Sequence, residues 1–244
     1  MVLKNVKSEL EAVFKSLDVY DAAKKYLANE SIGITDATRA SISSSVLSTK
    51  VSGKERKDML DDAEENAEKA GAILMRLQKR LKEDYGKFWR QDLISSAIFG
   101  IPEQEIVEAF ALLAVLKQKE IPSRIINFRI QDPDSYLKTK TTLKVSGTAY
   151  LFGLLDCVGE LSRVIHDSLD KPKFAIEIYK IMEELFVELA VFTEFPNRRD
   201  PKTESKKHIS NLKHRIDVCR SQVTKCREVL ENIGTPPPKN GPYA

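Results

Sequence analysis

Between Ile209 and Ile233 the apolar residues Ile209, Leu212, Ile216, Cys219, Val223, Cys226, Leu230 and Ile233 follow an unbroken 3-4-3-4 spacing. That is the period of a helix with one continuous apolar seam, as in a coiled coil. It predicts a last helix over roughly residues 201–233, packed either within the subunit or against another one. A chain that ends in such a helix must supply apolar helix faces to cover it.

The rest of the sequence supplies them. Over residues 54–83, after Gly53, the residues Met59, Ala63, Ala70, Leu74, Leu77 and Leu81 recur at helical spacing. Residues 4–28 predict a first helix through Leu10, Val13, Phe14, Leu17 and Tyr20. Gly33 marks a break, and Thr35-Asp36 caps a second stretch to about residue 49. Its serines, Ser41, Ser43, Ser44, Ser45 and Ser48, weaken helix propensity but permit close packing. Further helices are expected over 87–99 and, after Gly100 and with Pro102 in the first turn, to about 119. Residues 121–135 form the longest connection, with Ile125, Ile126, Phe128 and Ile130 docked on the core. A helix then runs from Pro133 or Tyr136 to about 168, loosened at Gly147, Gly153 and Gly159. Pro172 starts another that ends near Phe195-Pro196. No alternating run is long enough to compete as a strand. The expectation is an all-α, antiparallel bundle of about seven helices. One domain spans 1–233, and 234–244 form a flexible tail.

Composition agrees with helices. The chain has 244 residues, which suits a single domain, and its 31% charged content is ordinary for long helices. Only 10 Gly and 10 Pro occur, too few for a loop-rich fold. Three cysteines without a CxxC pair and three histidines argue against structural zinc. The odd cysteine count, with no signal sequence, predicts a cytoplasmic protein, or a nuclear one if eukaryotic. No apolar run approaches the roughly 18 residues of a membrane span. There is no GxGxxG, P-loop or internal repeat. The net charge of +3 is weakly basic, but its distribution is uneven. From Arg198 to Glu228 there are ten Lys or Arg against four Asp or Glu.

Two stretches place carboxylates inside otherwise apolar helices. In Gln104-Glu105-Ile106-Val107-Glu108-Ala109, Glu105 and Glu108 are three apart and share a face. In the stretch from Gly153 to Arg163, Asp156 and Glu160 are four apart and again share a face. Buried carboxylates need partners, and four together repel as anions, so a divalent cation is one compensation. Oxygen-only ligands suit magnesium or manganese. The alternative is that Asp156 and Glu160 pair with Arg163 and nearby lysines while Glu105 and Glu108 face solvent. No Glu-x-x-His pair supports a di-iron bundle.

At these residues the sequence resembles the translin superfamily, and within it the translin-associated factor X branch. Gln104 to Ala109 match that branch's Gln-Glu-x-Val-Glu-Ala motif. Gly153 to Arg163 match its Gly-x-x-Asp-x-x-Gly-Glu-Leu-x-Arg motif. The final basic helix over 207–229 fits too. The likeness covers most of the chain, strong over 86–232 and weak over the first 80 residues, where the Ser-rich stretch departs from the family. It implies an all-helical fold assembling into a hollow, roughly octameric shell, either as a homo-oligomer of archaeal type or with a translin-like subunit. It also implies that Glu105, Glu108 and Asp156 are catalytic magnesium ligands, with Glu160 beside them. Translin itself lacks the first acidic pair.

The expected activity is therefore metal-dependent endoribonucleolytic cleavage of single-stranded RNA or short duplexes. Glu105, Glu108 and Asp156 hold magnesium or manganese, and Glu160 adds a further ligand or a base. Arg163 contacts a phosphate or balances Glu160. Arg198, Arg199, Lys202, Lys206, Lys207, Lys213, Arg215 and Arg220 are candidates for neutralising RNA phosphates, or form the solvated face opposite the seam. The rival function is a non-catalytic subunit that binds single-stranded RNA or DNA.

Overall fold

The structure is a computed structural model that describes residues 2–85, 97–131, 138–191 and 205–234. Among these residues it contains six helices and one hairpin. They are α1 (Val2–Leu47), α2 (Gly53–Tyr85), α3 (Ala97–Leu116), β1 (Ile125–Gln131), β2 (Lys138–Lys144), α4 (Gly147–Asp167), α5 (Pro172–Ala190) and α6 (Ser205–Asn232). The fold is all-α, with the hairpin as an appendage. Among the described residues no helix is long and apolar enough to cross a membrane.

The long pair α1 and α2 forms one side of the molecule. On α2 the buried residues Leu60, Ala63, Ala67, Ala70, Leu74, Leu77 and Leu81 repeat the 3-4 spacing without interruption. Each fully buried leucine there contributes roughly 1.5–3 kcal/mol of transfer free energy. α1 answers with small residues: Ala23, Ala37, Ser41 and Ser45 are all buried. The Ser41 hydroxyl donates to the Ala63 carbonyl at 2.7 Å, which satisfies a buried polar atom across the helix pair. Ser44 reaches Asp62 at 2.6 Å, and Arg80 lies over Tyr26, so the two helices run antiparallel.

The break expected at Gly33 does not occur, and α1 is continuous through it. A β-carbon on Gly33 would lie 3.6 Å from Ile73 Cδ1, an ordinary contact. Packing on α2 outweighs the modest helix penalty of glycine, about 1 kcal/mol. Thr35 is accordingly a helical residue and not a cap. Gly100 does not interrupt α3 either, and Pro102 lies inside the helix instead of opening it. At the sixth helical position proline removes one intrahelical hydrogen bond and its ring crowds the carbonyl four residues back, a cost of about 3 kcal/mol. α3 ends at Leu116 in a tight C-terminal turn. Lys119 N–H donates to the Ala114 carbonyl at 2.8 Å, and Gln118 takes a left-handed φ of 53°. Of the helix expected over 87–99, residues 87–96 lie outside the described residues and 97–99 belong to α3.

The larger correction is the hairpin. Residues 138–144, expected in a helix, form β2 and pair antiparallel with β1, Ile126 opposite Leu143 and Phe128 opposite Thr141. Ile126, Phe128 and Leu143 are buried while Ile125 is half exposed, a two-residue alternation. Phe128 seats on α2, where a β-carbon on Gly71 would come within 2.9 Å of its ring. α4 therefore begins only at Gly147. Ser146 is its N-cap, and its hydroxyl accepts from Ala149 N–H at 3.2 Å.

α4 packs against α3 on one side and against α5 and α6 on the other. The α6 seam closes within the subunit: Ile216, Cys219, Val223, Cys226 and Leu230 are buried, while Ile233 is 44% exposed. α5 starts at Pro172 as expected. Its expected extension to 195–196 and the expected start of the last helix at 201 lie outside the described residues. So do the tail residues beyond 234. A half-buried network ties α5 to α6. Arg227 Nε donates to the Tyr179 hydroxyl at 3.0 Å, and Tyr179 donates to Glu183 at 3.0 Å. The three cysteines are buried and free.

Candidate active site

The two motifs meet where α3 crosses α4. Most of α3 is core: Ile106, Val107, Ala109, Ala111, Leu112 and Leu113 are buried. α4 is buried through Phe152, Gly153, Leu154, Leu155, Cys157 and Val158. The helices touch at Gly153. A β-carbon there would stand 2.6 Å from the Gln104 carbonyl oxygen and 2.6 Å from Val107 Cβ. Such contacts are prohibitive, so the glycine is needed for close approach and is not a loosening of the helix. Gly147, the first residue of α4, and Gly159, beside Gln222 of α6, do not interrupt α4 either.

Close approach brings the carboxylates into one electrostatic cluster. Glu108 shows it most strongly. Burial raises its pKa from 4.5 to about 8, with Asp156, Glu160 and Glu105 adding repulsion and Arg215 opposing them. Burial, then Glu108, Glu160 and Asp156, also push the Cys157 thiol far above its ordinary range.

The other three carboxylates have protein partners. Asp156 accepts from the Gln104 side-chain amide on one oxygen and from Arg215 Nη1 at 2.7 Å on the other. The Arg215 guanidinium also lies over the Phe152 ring, 4.8 Å from its centre. Glu105 faces Thr38 of α1, whose hydroxyl is 3.1 Å from Oε2. Glu160 Oε2 is 3.2 Å from Arg163 Nη1, yet that oxygen is buried and accepts no hydrogen bond. The contact is a charge pairing with poor alignment. Behind the cluster, buried Glu103 accepts from Ser146 N–H at 2.9 Å and so fixes the start of α4 against α3. Burial raises its pKa despite that bond and the nearby Arg124.

The donor chemistry fits a hard divalent cation: four oxygen-bearing side chains, one with an orphaned buried oxygen and one whose ionisation burial and like charge resist. The placement is not a finished chelate. Among the described residues no three His, Cys, Asp or Glu side chains stand close enough together to share one ion. Asp156, tied to Gln104 and Arg215, and Glu105, facing Thr38, must turn before they can do so.

Sequence reasoning did not find Thr38, Gln104 and Glu103. Gln104 was within the motif, but nothing in the spacing marked it as a partner of Asp156. Thr38 reaches the site only through the packing of α1 on α3.

The basic candidates divide. Arg163 is half exposed and paired with Glu160. Arg215 is paired with Asp156, and Arg220 with Asp217 at 2.6 Å on its own helix. Lys213 is exposed. Lys206 and Lys207 lie on α6, with side chains outside the described set. Arg198, Arg199 and Lys202 lie outside the described residues.

The fold has known counterparts. A crystal structure of AfC3PO superposes with a TM-score of 0.66 at 23% identity, covering 93% of this chain and 97% of that one. The structure of an AfC3PO–duplex RNA complex gives a TM-score of 0.65 at 21% identity, covering 93% and 96%. No curated protein matches the sequence. The Translin family model matches residues 9–233, nearly the whole chain, and the protein therefore belongs to the translin family.

Proposed function

We propose that this chain is a catalytic subunit of the translin-associated factor X type, a magnesium- or manganese-dependent endoribonuclease acting on single-stranded RNA or short duplexes. The observation that carries the reading is Glu108. It is a carboxylate raised to about 8 by burial and by three neighbouring acids drawn from two helices. A structural role gains nothing from such repulsion, whereas a cation site uses it. The similar AfC3PO assembly was solved with duplex RNA, which supports RNA as the polymer.

In this reading Glu105, Glu108 and Asp156 hold the cation, with Glu160 beside them. The bound ion supplies Lewis acidity and charge neutralisation at a phosphodiester. The chain's own contribution is positional. Gly153 sets the distance between the two ligand-bearing helices, and Glu103 fixes the register of α4. Glu160 has a buried oxygen that accepts no hydrogen bond and could take a proton from water near the phosphate. Lys213 offers an exposed ammonium for the backbone. The subunit works in an oligomeric shell, alone or with a translin-like partner.

A second reading, a non-catalytic subunit that binds single-stranded RNA or DNA, is favoured by one observation: both oxygens of Asp156 already have protein donors. The test is cleavage of a single-stranded RNA with magnesium or manganese, comparing wild type with Glu108→Ala, alongside RNA affinity without metal. The catalytic reading expects cleavage only in wild type, with affinity unchanged. Binding by wild type without any cutting supports the second reading.

A further inference from the structure

Among the described residues, Asp156 is the one member of the cluster held by a full cation from another helix. Its partner, Arg215, comes from α6, 59 residues away, and bonds Oδ1 at 2.7 Å. The pair is part-exposed, 30% for the arginine and 32% for the aspartate, so it can open without burying an unpaired charge. Gln104 occupies the other oxygen of Asp156. A metal ion that takes an oxygen of Asp156 must share the carboxylate with these donors, and Arg215 is the donor whose positive charge it repels. Once displaced, the guanidinium still rests on the Phe152 ring, which holds positive charge in place. It then sits beside a divalent cation with no counter-charge, and a phosphate oxygen is the ligand its planar fork suits best.

Resting on the cation site proposed above, we propose that Arg215 is a tethered counter-ion that a divalent metal displaces from Asp156, and that the displaced guanidinium takes a phosphate of the bound RNA. Metal and RNA then assist one another. Without RNA, Arg215 competes with the metal. With RNA, it is drawn away, and by linkage the metal tightens RNA binding by the same factor. Arg163 cannot substitute, because its carboxylate partner is Glu160, one turn away on its own helix.

The test is manganese binding by the full-length protein, read from the electron paramagnetic resonance signal of free Mn²⁺. Titrations are run with and without a 2′-O-methyl single-stranded RNA that resists cleavage. Wild type is expected to bind Mn²⁺ about fivefold or more tightly with RNA present. Arg215→Gln binds Mn²⁺ more tightly than wild type without RNA, and RNA no longer changes its affinity. Lys225→Gln removes the same charge from an exposed site on the same helix and keeps the wild-type pattern. The inference is overturned if Arg215→Gln binds Mn²⁺ no more tightly than wild type, or keeps the RNA effect, while Glu108→Gln abolishes binding. In that case the cation site stands and the role of Arg215 falls. If neither wild type nor any variant binds Mn²⁺, the cation site itself is wrong, and the inference falls with it.

Discussion

Among the described residues two acidic regions stand out, and they behave in opposite ways. One is an open cleft of about 990 Å³ between α2 and the hairpin, bordered by Asp58, Asp61, Asp62, Glu64, Glu65 and Glu68. The other is the cluster of Glu105, Glu108, Asp156 and Glu160. The cleft has more carboxylates, yet lysines stand among them. Burial pushes Glu64 up, but the hydrogen bond from Lys117 and the charges of Lys117 and Lys119 outweigh it and leave its pKa lowered. Lys117 alone bonds Glu64 at 2.8 Å and Asp61 at 3.2 Å. At the α3–α4 crossing the balance runs the other way, and Glu108 rises to about 8. Counting acids does not locate a cation site. What matters is charge that is desolvated and under-compensated.

The sharpest way to break this contrast is paired substitution. Asp156→Asn should lower metal-dependent RNA cleavage at least roughly a hundredfold, as loss of a ligand exceeds loss of its supports. Asp61→Asn, in the cleft, should leave the rate within about twofold, since exposed charges rarely matter. Initial rates on one RNA compare the two directly. Equal losses would mean that the clusters are not distinct.

Stability against pH should separate the same regions. Glu108 has its pKa raised on folding, from 4.5 to about 8. The folded state therefore holds its proton more tightly than the unfolded one. Below about pH 4.5 the group costs nothing. Through the window from 4.5 to 8 the metal-free protein loses stability, and above 8 the loss is complete, on the order of a few kcal/mol. Thermal melts in chelator should show Glu108→Gln gaining on wild type at pH 9 and matching it near pH 4.5. The lowered pKa of Glu64 gives the opposite sign: Glu64→Gln should lose a little stability at neutral pH and none in acid.

Gly153→Ala tests the crossing itself. The added methyl meets Gln104 and Val107 at 2.6 Å, so overpacking of about 1–3 kcal/mol is expected, together with a fall in cleavage. Chemical denaturation and the rate assay check both. Lys117→Met should be the mildest change. It removes the charge that tames the cleft and should cost about 1 kcal/mol or less, with no effect on cleavage.

Much of this was legible in the sequence, for a physical reason. The seams of α2 and α6 are long, and periodicity over many turns admits only a helix. Carboxylates in apolar helices stood out because burial of charge is rare. The hairpin was not legible. Its second strand, KTKTTLK, has one apolar residue, Leu143, and next to it on the inward face stands only a part-buried threonine, Thr141. Strands that short gain their definition from Gly71 and α2, which lie far off in sequence. Gly33 misled for the converse reason: local propensity suggested a break that packing against α2 overrides. The partners of the cluster were hidden for the same cause. Thr38, Gln104 and Arg215 bond it from α1, from α3 and from α6, and spacing along one helix carries no trace of contacts between helices.

The measurement that tests the cation site most directly is isothermal titration with magnesium at pH 7, in buffers of differing ionisation enthalpy. With a pKa of about 8, Glu108 carries its proton at that pH. Binding should release about one proton per cation, and Glu108→Gln should abolish both the binding and the release. Binding without proton release and unaffected by Glu108→Gln, or no binding at all, would contradict the assignment of these carboxylates as the metal centre.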